Sequence, residues 1–254
     1  IGFEQGDPDE AVGLDQVTMN VLRLDVGELA AVVVDDAADQ HGARMVRARA
    51  STVNAPRAAI LPRMSTSLPI IDLRRAGEGA AARAALARQL DLACSEFGFF
   101  YLVGHQVDAR RTDGLLAPAR EFFARDQAEK MQIHMSRGGR AWRGYFPVGG
   151  ELTSGQPALK EGLYLATQLD LSDPRVRAGT PMHGRNLFPD VPNFRASVLE
   201  YISALENVGQ QVLSLMAEGL QLDGDYFRRQ FTADPTVLFR IFRYPPDAAA
   251  REGW

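Results

Sequence analysis

The stretch LFRIFRYPP at residues 238–246 restricts the fold most, because it predicts a half-buried strand with two different faces. One face carries Leu238, Arg240, Phe242 and Tyr244, and the other carries Phe239, Ile241 and Arg243. The two prolines that follow mark the exit from the strand. Such a strand needs neighbouring strands, since unpaired backbone and exposed apolar faces are a liability that natural proteins avoid.

The remaining pattern predicts an α+β protein. Apolar runs predict further strands at 68–73, 99–104 and 160–166. Apolar residues at helical spacing predict helices over about 80–96, 108–124 and 194–220, and glycines crowd 138–155 into a long surface loop. A double-sheet jelly roll needs about eight strands, so the four or so predicted strands make an incomplete sheet.

Composition excludes several classes of protein. The chain has 254 residues, 46% of them hydrophobic, which is enough for one substantial core or two modest ones. A net charge of −4 argues against a nucleic-acid or anionic-membrane partner. The single cysteine, Cys94, lies on an apolar helix face, where it is expected to act as a small hydrophobe. With no disulfide partner, no membrane-length apolar run and no signal-peptide pattern, a cytoplasmic location is expected.

Residues 1–63 differ in composition from the rest of the chain. They hold 10 acidic and 6 basic residues, and one aromatic residue, Phe3, of the 21 in the chain. So few aromatics leave little with which to build a core. We interpret 1–63 as a weakly structured extension or read-through, with Met64 as the natural start. The alternative is a small α/β piece, since ELAAVVVDDA at 28–37 is also typical of a strand.

Six blocks of sequence occur in the order found in one known family. They are LPIIDL, LARQLDLACSEFGFFYLVGHQV, RGYFPVGGE, LKEGLYLA, LFPDVPNFRASVLEYISAL and FRIFRYPP. From about residue 68 onward the chain resembles the isopenicillin N synthase-like family of Fe(II)/2-oxoglutarate-dependent oxygenases. The resemblance implies an N-terminal helical and strand region leading into an incomplete double-stranded β-helix (jelly-roll) core. It divides the chain into 1–63, an N-terminal dioxygenase region at 64–185, and the long helix with the first core strand at 186–254.

The family's iron site is implied to consist of a His-x-Asp pair and a distant second His. Two imidazoles and one carboxylate occupy one face of Fe(II) and leave the opposite positions open. The four histidines are His41, His105, His134 and His183, and none is followed two residues later by Asp or Glu. His105 and Asp108 are three residues apart, so in an extended segment they would point to opposite faces. We expect His105 to be structural and His134 and His183 to be solvated or capping, and we predict no metal ligand and no catalytic residue.

In the family, the iron motif follows the Tyr-Pro-Pro strand and a Trp-Gly, whereas this chain ends on Gly253-Trp254. We therefore expect the chain to be truncated just before its iron ligands. On this expectation the chain alone is inactive and aggregation-prone. Fe(II) and 2-oxoglutarate are implied for the complete enzyme, and neither is expected to bind this chain by itself.

Four residues are predicted to contribute to binding sites. Tyr244 matches a tyrosine that is similar to one that hydrogen-bonds the 2-oxoglutarate carboxylate in several family members. Arg240 lies on the same strand face, where a guanidinium can hold a carboxylate or pair with an acid at the rim of the core. Phe242 stands where the family often has Asn, a departure from the usual pair of co-substrate contacts. Arg143 and Tyr145 are placed at the substrate entrance, with a solvated loop position as the alternative for Arg143.

The leading functional hypothesis is an oxygenase that hydroxylates, desaturates or cyclises a small molecule while 2-oxoglutarate and O2 become succinate and CO2. The alternative is a non-catalytic pseudoenzyme or helical interaction module. The Lys160-Glu161 pair is predicted to anchor its strand, with substrate contact as the alternative. The sequence contains no P-loop, no G-x-S-x-G elbow and no pair of cysteines for zinc. Neither the substrate nor the oligomeric state follows from the sequence.

Overall fold

A computed structural model describes residues 16–20, 68–153 and 155–245. Its strands are β1 (Gln16–Asn20), β2 (Ile70–Asp72), β3 (Tyr101–Val103), β4 (Gly144–Phe146), β5 (Leu152–Thr153), β6 (Gln156–Pro157), β7 (Glu161–Ala166) and β8 (Leu238–Tyr244). Its α-helices are α1 (Ala80–Glu96), α2 (Ala109–Ala124), α3 (Gln127–Lys130), α4 (Pro174–Arg177) and α5 (Phe194–Gly219). The α+β prediction is confirmed. Residues 1–63 were expected to be a weakly structured extension, and of these the structure describes 16–20, which form β1. The rest of that segment, with the alternative strand at 28–37, lies outside the described residues.

The three long helices begin and end where the sequence indicates. Asp108 caps α2, since its side chain accepts a hydrogen bond from the backbone N–H of Arg110. Gly98, in the left-handed region at φ 78°, follows α1 and ends it. The 26-residue α5 buries a continuous stripe that includes Val198, Ile202 and Leu205. Because α1 and α2 both pack on α5, this helix is shared by two apolar clusters.

The main sheet is antiparallel, with strand order β1-β8-β7-β4. In its register Glu161 faces Arg243 and Leu163 faces Ile241, while Tyr145 faces Leu163 from the other side. A small parallel sheet pairs β2 with β3, and β5 and β6 form a short hairpin. Consecutive side chains of β4, β7 and β8 alternate between the two faces of the main sheet.

The two faces of the sheet have different surroundings. The inner face packs against α2 and α5 in the largest core cluster, to which the sheet contributes Tyr145, Leu163, Leu165, Phe239 and Ile241. The opposite face carries a small aromatic cluster of Phe146, Tyr164 and Phe242. We call this second side the aromatic face, comprising Phe146, Tyr164, Arg240, Phe242 and Tyr244.

The prediction of a surface loop over 138–155 is wrong at its centre. Residues 144–146 form β4, and all three are buried in the main sheet. A three-residue strand is too short to show a period, so its glycine suggested only a turn. Gly144 has φ 122°, and a Cβ there would lie 2.5 Å from the carbonyl oxygen of Ile133. The glycine therefore permits a close backbone approach within a strand.

Candidate functional site

The three-ring cluster at the centre of the aromatic face takes one ring from each of three strands. The ring centroids of Phe146 and Tyr164 are 5.4 Å apart, and those of Phe146 and Phe242 are 6.0 Å apart. The register explains the cluster, because Gly162 lies between Phe146 and Phe242 and offers no side chain. Phe242 is therefore a buried packing residue.

Arg240 lies half-buried beside this cluster. Its guanidinium carbon is 5.2 Å from the ring centroid of Phe242 and 5.6 Å from that of Tyr164. One of its nitrogens, Nη1, donates a 3.4 Å hydrogen bond to the Tyr164 hydroxyl. Among the described residues no ion pair includes Arg240. The described residues therefore do not form the ion pair at the rim of the core that was the alternative for Arg240. Its guanidinium packs against aromatic rings instead and keeps further N–H groups that can donate to a ligand.

Tyr244 stands at the end of β8, on the same face as Arg240. It is 42% exposed, and its ring lies edge-on to Phe242 at 6.5 Å between centroids. Because side chains alternate along a strand, Tyr244 lies on the same side of the sheet as Arg240. The structure therefore places the two predicted co-substrate residues on one face, and their contact with 2-oxoglutarate stays a prediction.

Two further charged residues border the aromatic face. Lys160 Nζ lies 4.2 Å from the Phe242 ring centroid and 3.1 Å from Glu151 Oε2. The hydroxyl of Tyr164 donates to the same carboxylate. Burial raises the pKa of Tyr164, and the bond to Glu151 acts in the same direction, so this hydroxyl keeps its proton as a donor. Arg240 and Lys160 are cationic and Glu151 is anionic, so the aromatic face and its border carry a net positive charge, which suits an anionic ligand.

On the inner face a buried carboxylate ties four elements together. Glu161 accepts hydrogen bonds from Lys130 Nζ at 2.8 Å, Arg243 Nη1 at 2.9 Å and the Tyr145 hydroxyl at 2.5 Å. Lys130 and Glu161 are both buried. The structure gives Glu161 the anchoring role that was predicted for the Lys160-Glu161 pair, whereas Lys160 belongs to the opposite face.

Arg143 and Tyr145 are both buried, which corrects the solvated-loop alternative for Arg143. Tyr145 points into the core, where it bonds Glu161 and Gln127. Arg143 donates to the carbonyl oxygens of Ala141 and Met182, each at 2.8 Å. Their burial was not predicted because β4, which contains Tyr145 and directly follows Arg143, was taken for part of a loop. Contact of these two side chains with a substrate stays a prediction.

The described histidines are all engaged locally. His105 Nδ1 accepts a hydrogen bond from the backbone of Val107, and His134 Nδ1 accepts one from Ser136 at the start of a short 3-10 helix. His183 bonds the carbonyl of Pro181 through Nδ1 and contacts the hydroxyl of Thr236. In the described part of the chain, no three His, Cys, Asp or Glu side chains cluster closely enough to hold a metal ion. The described residues therefore do not fit an iron site.

The signal that sequence reasoning left unused was charge on the inner strand face. Glu161 shares a face with Leu163 and Leu165, and Arg243 shares one with Phe239 and Ile241. Opposite charges on core-facing positions of two strands predict that they pair across the sheet. Lys130 gave no such signal, because its short helix brings it to Glu161 only through the tertiary fold.

Residues 68–191 match the family described as non-haem dioxygenase in morphine synthesis, N-terminal. The chain is 43% identical over 189 residues to the probable iron/ascorbate oxidoreductase of Dictyostelium discoideum, covering 70% of this chain and 52% of that protein. It is 31% identical over 186 residues to the 1-aminocyclopropane-1-carboxylate oxidase of Dictyostelium mucoroides, covering 70% and 49%. The chain thus spans about half the length of these curated relatives.

The fold is also that of solved oxygenases. A 2OG-Fe(II) oxygenase family protein from Caulobacter crescentus matches with a TM-score of 0.60 at 24% identity, covering 71% of this chain and 57% of that one. A full-length Neurospora crassa protein solved in complex with alpha-KG matches with a TM-score of 0.59 at 19% identity, covering 70% and 54%. The sequence relatives indicate the class, the non-haem iron oxygenases, and the fold is one that solved proteins of this class share. This chain belongs to the Fe(II)/2-oxoglutarate-dependent oxygenase family.

Proposed function

We propose that this chain is part of an oxygenase that oxidises a small molecule while 2-oxoglutarate and O2 are converted to succinate and CO2. In this proposal residues 64–185 form the N-terminal region, and α5 with β8 begins a double-stranded β-helix core. The 43% identity to an iron/ascorbate oxidoreductase carries the proposal, since it extends over 70% of the chain. Hydroxylation, desaturation and ring closure are all within this class of reaction.

Arg240 and Tyr244 are the residues proposed to hold the co-substrate. A guanidinium offers two parallel N–H groups to a carboxylate, and a tyrosine hydroxyl adds a third donor. Arg240 is packed against Tyr164 and Phe242, so its orientation is set before a ligand arrives. Donors that are already oriented lose less conformational entropy when a ligand binds, and this favours Arg240 as a ligand for the co-substrate carboxylate.

Iron enters this proposal only as a requirement of the family. When bound, Fe(II) would supply the chemistry that activates O2 with 2-oxoglutarate. The described residues do not bring together two imidazoles and a carboxylate. The ligands are therefore proposed to come from outside residues 68–245, and no catalytic residue is assigned within that range.

The second candidate, a non-catalytic module, is favoured by the same lack of a ligand cluster among the described residues. The test is succinate formation from 2-oxoglutarate, with and without added Fe(II), by the 254-residue chain and by the protein expressed from its whole gene. The oxygenase proposal expects iron-dependent turnover by the whole-gene protein and none by the chain alone. Absence of turnover from both preparations would favour the non-catalytic module.

The remaining expectations concern partners and location. None of the helices in the described ranges is long and apolar enough to cross a bilayer. A small-molecule substrate and a cytoplasmic location are proposed on the family resemblance and on composition.

A further inference from the structure

The hydroxyl of Tyr164 lies between Glu151 and Arg240 and hydrogen-bonds both of them. It donates its proton to Glu151 Oε1, and its oxygen accepts a 3.4 Å hydrogen bond from Arg240 Nη1. A phenol has one proton to donate and lone pairs with which to accept. The first bond therefore sets the second, because a hydroxyl whose proton goes to the carboxylate turns its lone pairs toward the guanidinium.

Glu151 is held in place at the base of the β5-β6 hairpin. Its backbone carbonyl accepts a 2.8 Å hydrogen bond from the N–H of Ala158, and the N–H of Gly149 donates to the Ala158 carbonyl at 2.9 Å. The second carboxylate oxygen, Oε2, pairs with Lys160 Nζ at 3.1 Å. Each oxygen of the carboxylate thus has its own partner, and Oε1 is the one directed at Tyr164.

The ring of Tyr164 is fixed as well. It is buried, with its centroid 5.4 Å from that of Phe146 and 6.4 Å from that of Phe242. Burial raises the pKa of Tyr164, so the hydroxyl keeps the proton that it donates to Glu151. Arg240 therefore meets a hydroxyl oxygen that is set both in position and in the direction of its lone pairs.

We propose that Glu151 and Tyr164 are positioning residues that orient the Arg240 guanidinium toward the 2-oxoglutarate carboxylate. This inference rests on the proposed function, in which Arg240 holds the co-substrate. The rings of Tyr164 and Phe242 hold the guanidinium over the aromatic face, and the bond to the hydroxyl fixes which nitrogen faces Tyr164. A guanidinium has five N–H groups, of which the described residues engage one in Arg240, so the others are available to a ligand.

Charge alone predicts the opposite effect for Glu151. A carboxylate close to an anionic ligand repels it, so its removal should strengthen binding if Glu151 acts only through its charge. If Glu151 acts through Tyr164 and Arg240, its removal should weaken binding, because the ligand must then order a guanidinium that is free to turn. The sign of the change in affinity separates the two explanations.

The test is the Kd of 2-oxoglutarate for the protein expressed from its whole gene, measured without O2 by isothermal titration calorimetry. Tyr164→Phe keeps the ring and removes the hydroxyl, and it should raise the Kd about two- to tenfold, the range expected for one neutral hydrogen bond. Glu151→Met should raise the Kd over the same range. Tyr226→Phe is the control, since that ring packs with Phe227 and Phe231 away from the aromatic face, and its Kd should equal that of the unaltered protein.

Turnover provides a second measurement on the same variants. At saturating 2-oxoglutarate the kcat of Tyr164→Phe should match that of the unaltered protein, because the lost contact contributes to binding of the co-substrate. A fall in kcat with no change in Kd would contradict a positioning role toward 2-oxoglutarate.

The double variant Glu151→Met/Tyr164→Phe tests whether Glu151 acts through the tyrosine. It should bind 2-oxoglutarate no more weakly than Tyr164→Phe alone, since both changes break the same chain of contacts. Single effects that multiply in the double variant, or an unchanged Kd in Tyr164→Phe, would overturn the inference. If Glu151→Met does not fold, Tyr164→Phe alone decides.

Failure of this inference differs from failure of the proposed function. An unaltered whole-gene protein that does not bind 2-oxoglutarate would contradict both. Binding by the unaltered protein that Tyr164→Phe leaves unchanged would contradict only the positioning role.

Discussion

The hydroxyl of Tyr145 donates a 2.5 Å hydrogen bond to Glu161 Oε2, joining β4 to β7 inside the core. Burial, reinforced by this bond, raises the pKa of Tyr145, so the hydroxyl keeps its proton and remains a donor. The same carboxylate oxygen accepts from Lys130, and the other accepts from Arg243 on β8. One buried carboxylate thus fixes the relative positions of three strands and the helix that follows α2.

The first prediction is that Glu161→Gln strongly destabilises the fold. The substitution leaves the cations of Lys130 and Arg243 facing a neutral amide in a buried site. Removing one member of a buried ion pair costs about 3–5 kcal/mol. Urea denaturation followed by circular dichroism measures the loss.

The matched control for Glu161→Gln is Glu129→Gln, which makes the same chemical change on an exposed side chain 3.9 Å from Arg125. Its effect should stay within about 0.5 kcal/mol. Tyr145→Phe should fall between the two, since it removes one donor and leaves both cations paired. Equal stability of Glu161→Gln and Glu129→Gln would show that the buried network contributes nothing.

The second prediction concerns Gly162 on the aromatic face. A Cβ at this position would lie 2.5 Å from Phe146 Cζ and 2.6 Å from Phe242 Cδ1, so alanine forces both rings to move. Overpacking of this kind costs about 1–3 kcal/mol. Gly114→Ala is the control, because Gly114 lies in helix α2 and a methyl group added there would have no neighbouring atom within 4 Å. Gly114→Ala should stabilise the protein by about 0.5–1 kcal/mol. In urea denaturation the two substitutions should therefore change the free energy of unfolding in opposite directions. A Gly162→Ala protein as stable as the unaltered one would refute the packing described for this glycine.

The third prediction is a pH-dependent gain in stability from Glu206→Gln. Burial on α5, together with the charge of Asp234, raises the pKa of Glu206 above its ordinary value of 4.5. The folded protein therefore binds this proton more tightly than the unfolded chain does. The ionised carboxylate destabilises the fold at pH values above the folded pKa, and the penalty disappears as pH falls below 4.5.

Tm should accordingly rise in Glu206→Gln at about pH 7 and match the unaltered protein near about pH 4. Glu200→Gln, on the same helix with the carboxylate 68% exposed, provides the comparison and should show no gain at neutral pH. A Glu206→Gln protein that is less stable at neutral pH would mean that the ionised carboxylate is favourable where it lies.

The sequence predicted the long elements well because their patterns are long enough to show a period. Helix α1 was predicted at 80–96 and is found at Ala80–Glu96, and the faces of β8 are as the alternation indicated. Strand β4 was missed, since three residues following a glycine-rich stretch carry no period. Its burial depends on pairing with β7, which is a tertiary contact.

The candidate site was predictable only in part for the same reason. Alternation alone places Arg240 and Tyr244 on one face, and the structure agrees. The packing of Arg240 against Tyr164 depends on the register between β7 and β8, which no local pattern specifies. Arg143 was predicted to lie at the substrate entrance, with a solvated position as the alternative, because loop residues usually lie at the surface. The backbone that leads into β4 instead places its side chain in the interior.

The most direct measurement is the KM for 2-oxoglutarate of the protein expressed from its whole gene, compared between the unaltered protein and Arg240→Met. Arg185→Met, which removes an exposed arginine paired with Asp170, is the control. Loss of a charge-assisted contact with a carboxylate is worth about 1.5–3 kcal/mol, or roughly ten- to a hundredfold. The account predicts an increase of that size for Arg240→Met and none for Arg185→Met. An unchanged KM in Arg240→Met, in a protein that turns over, would contradict the assignment of the aromatic face as the co-substrate site.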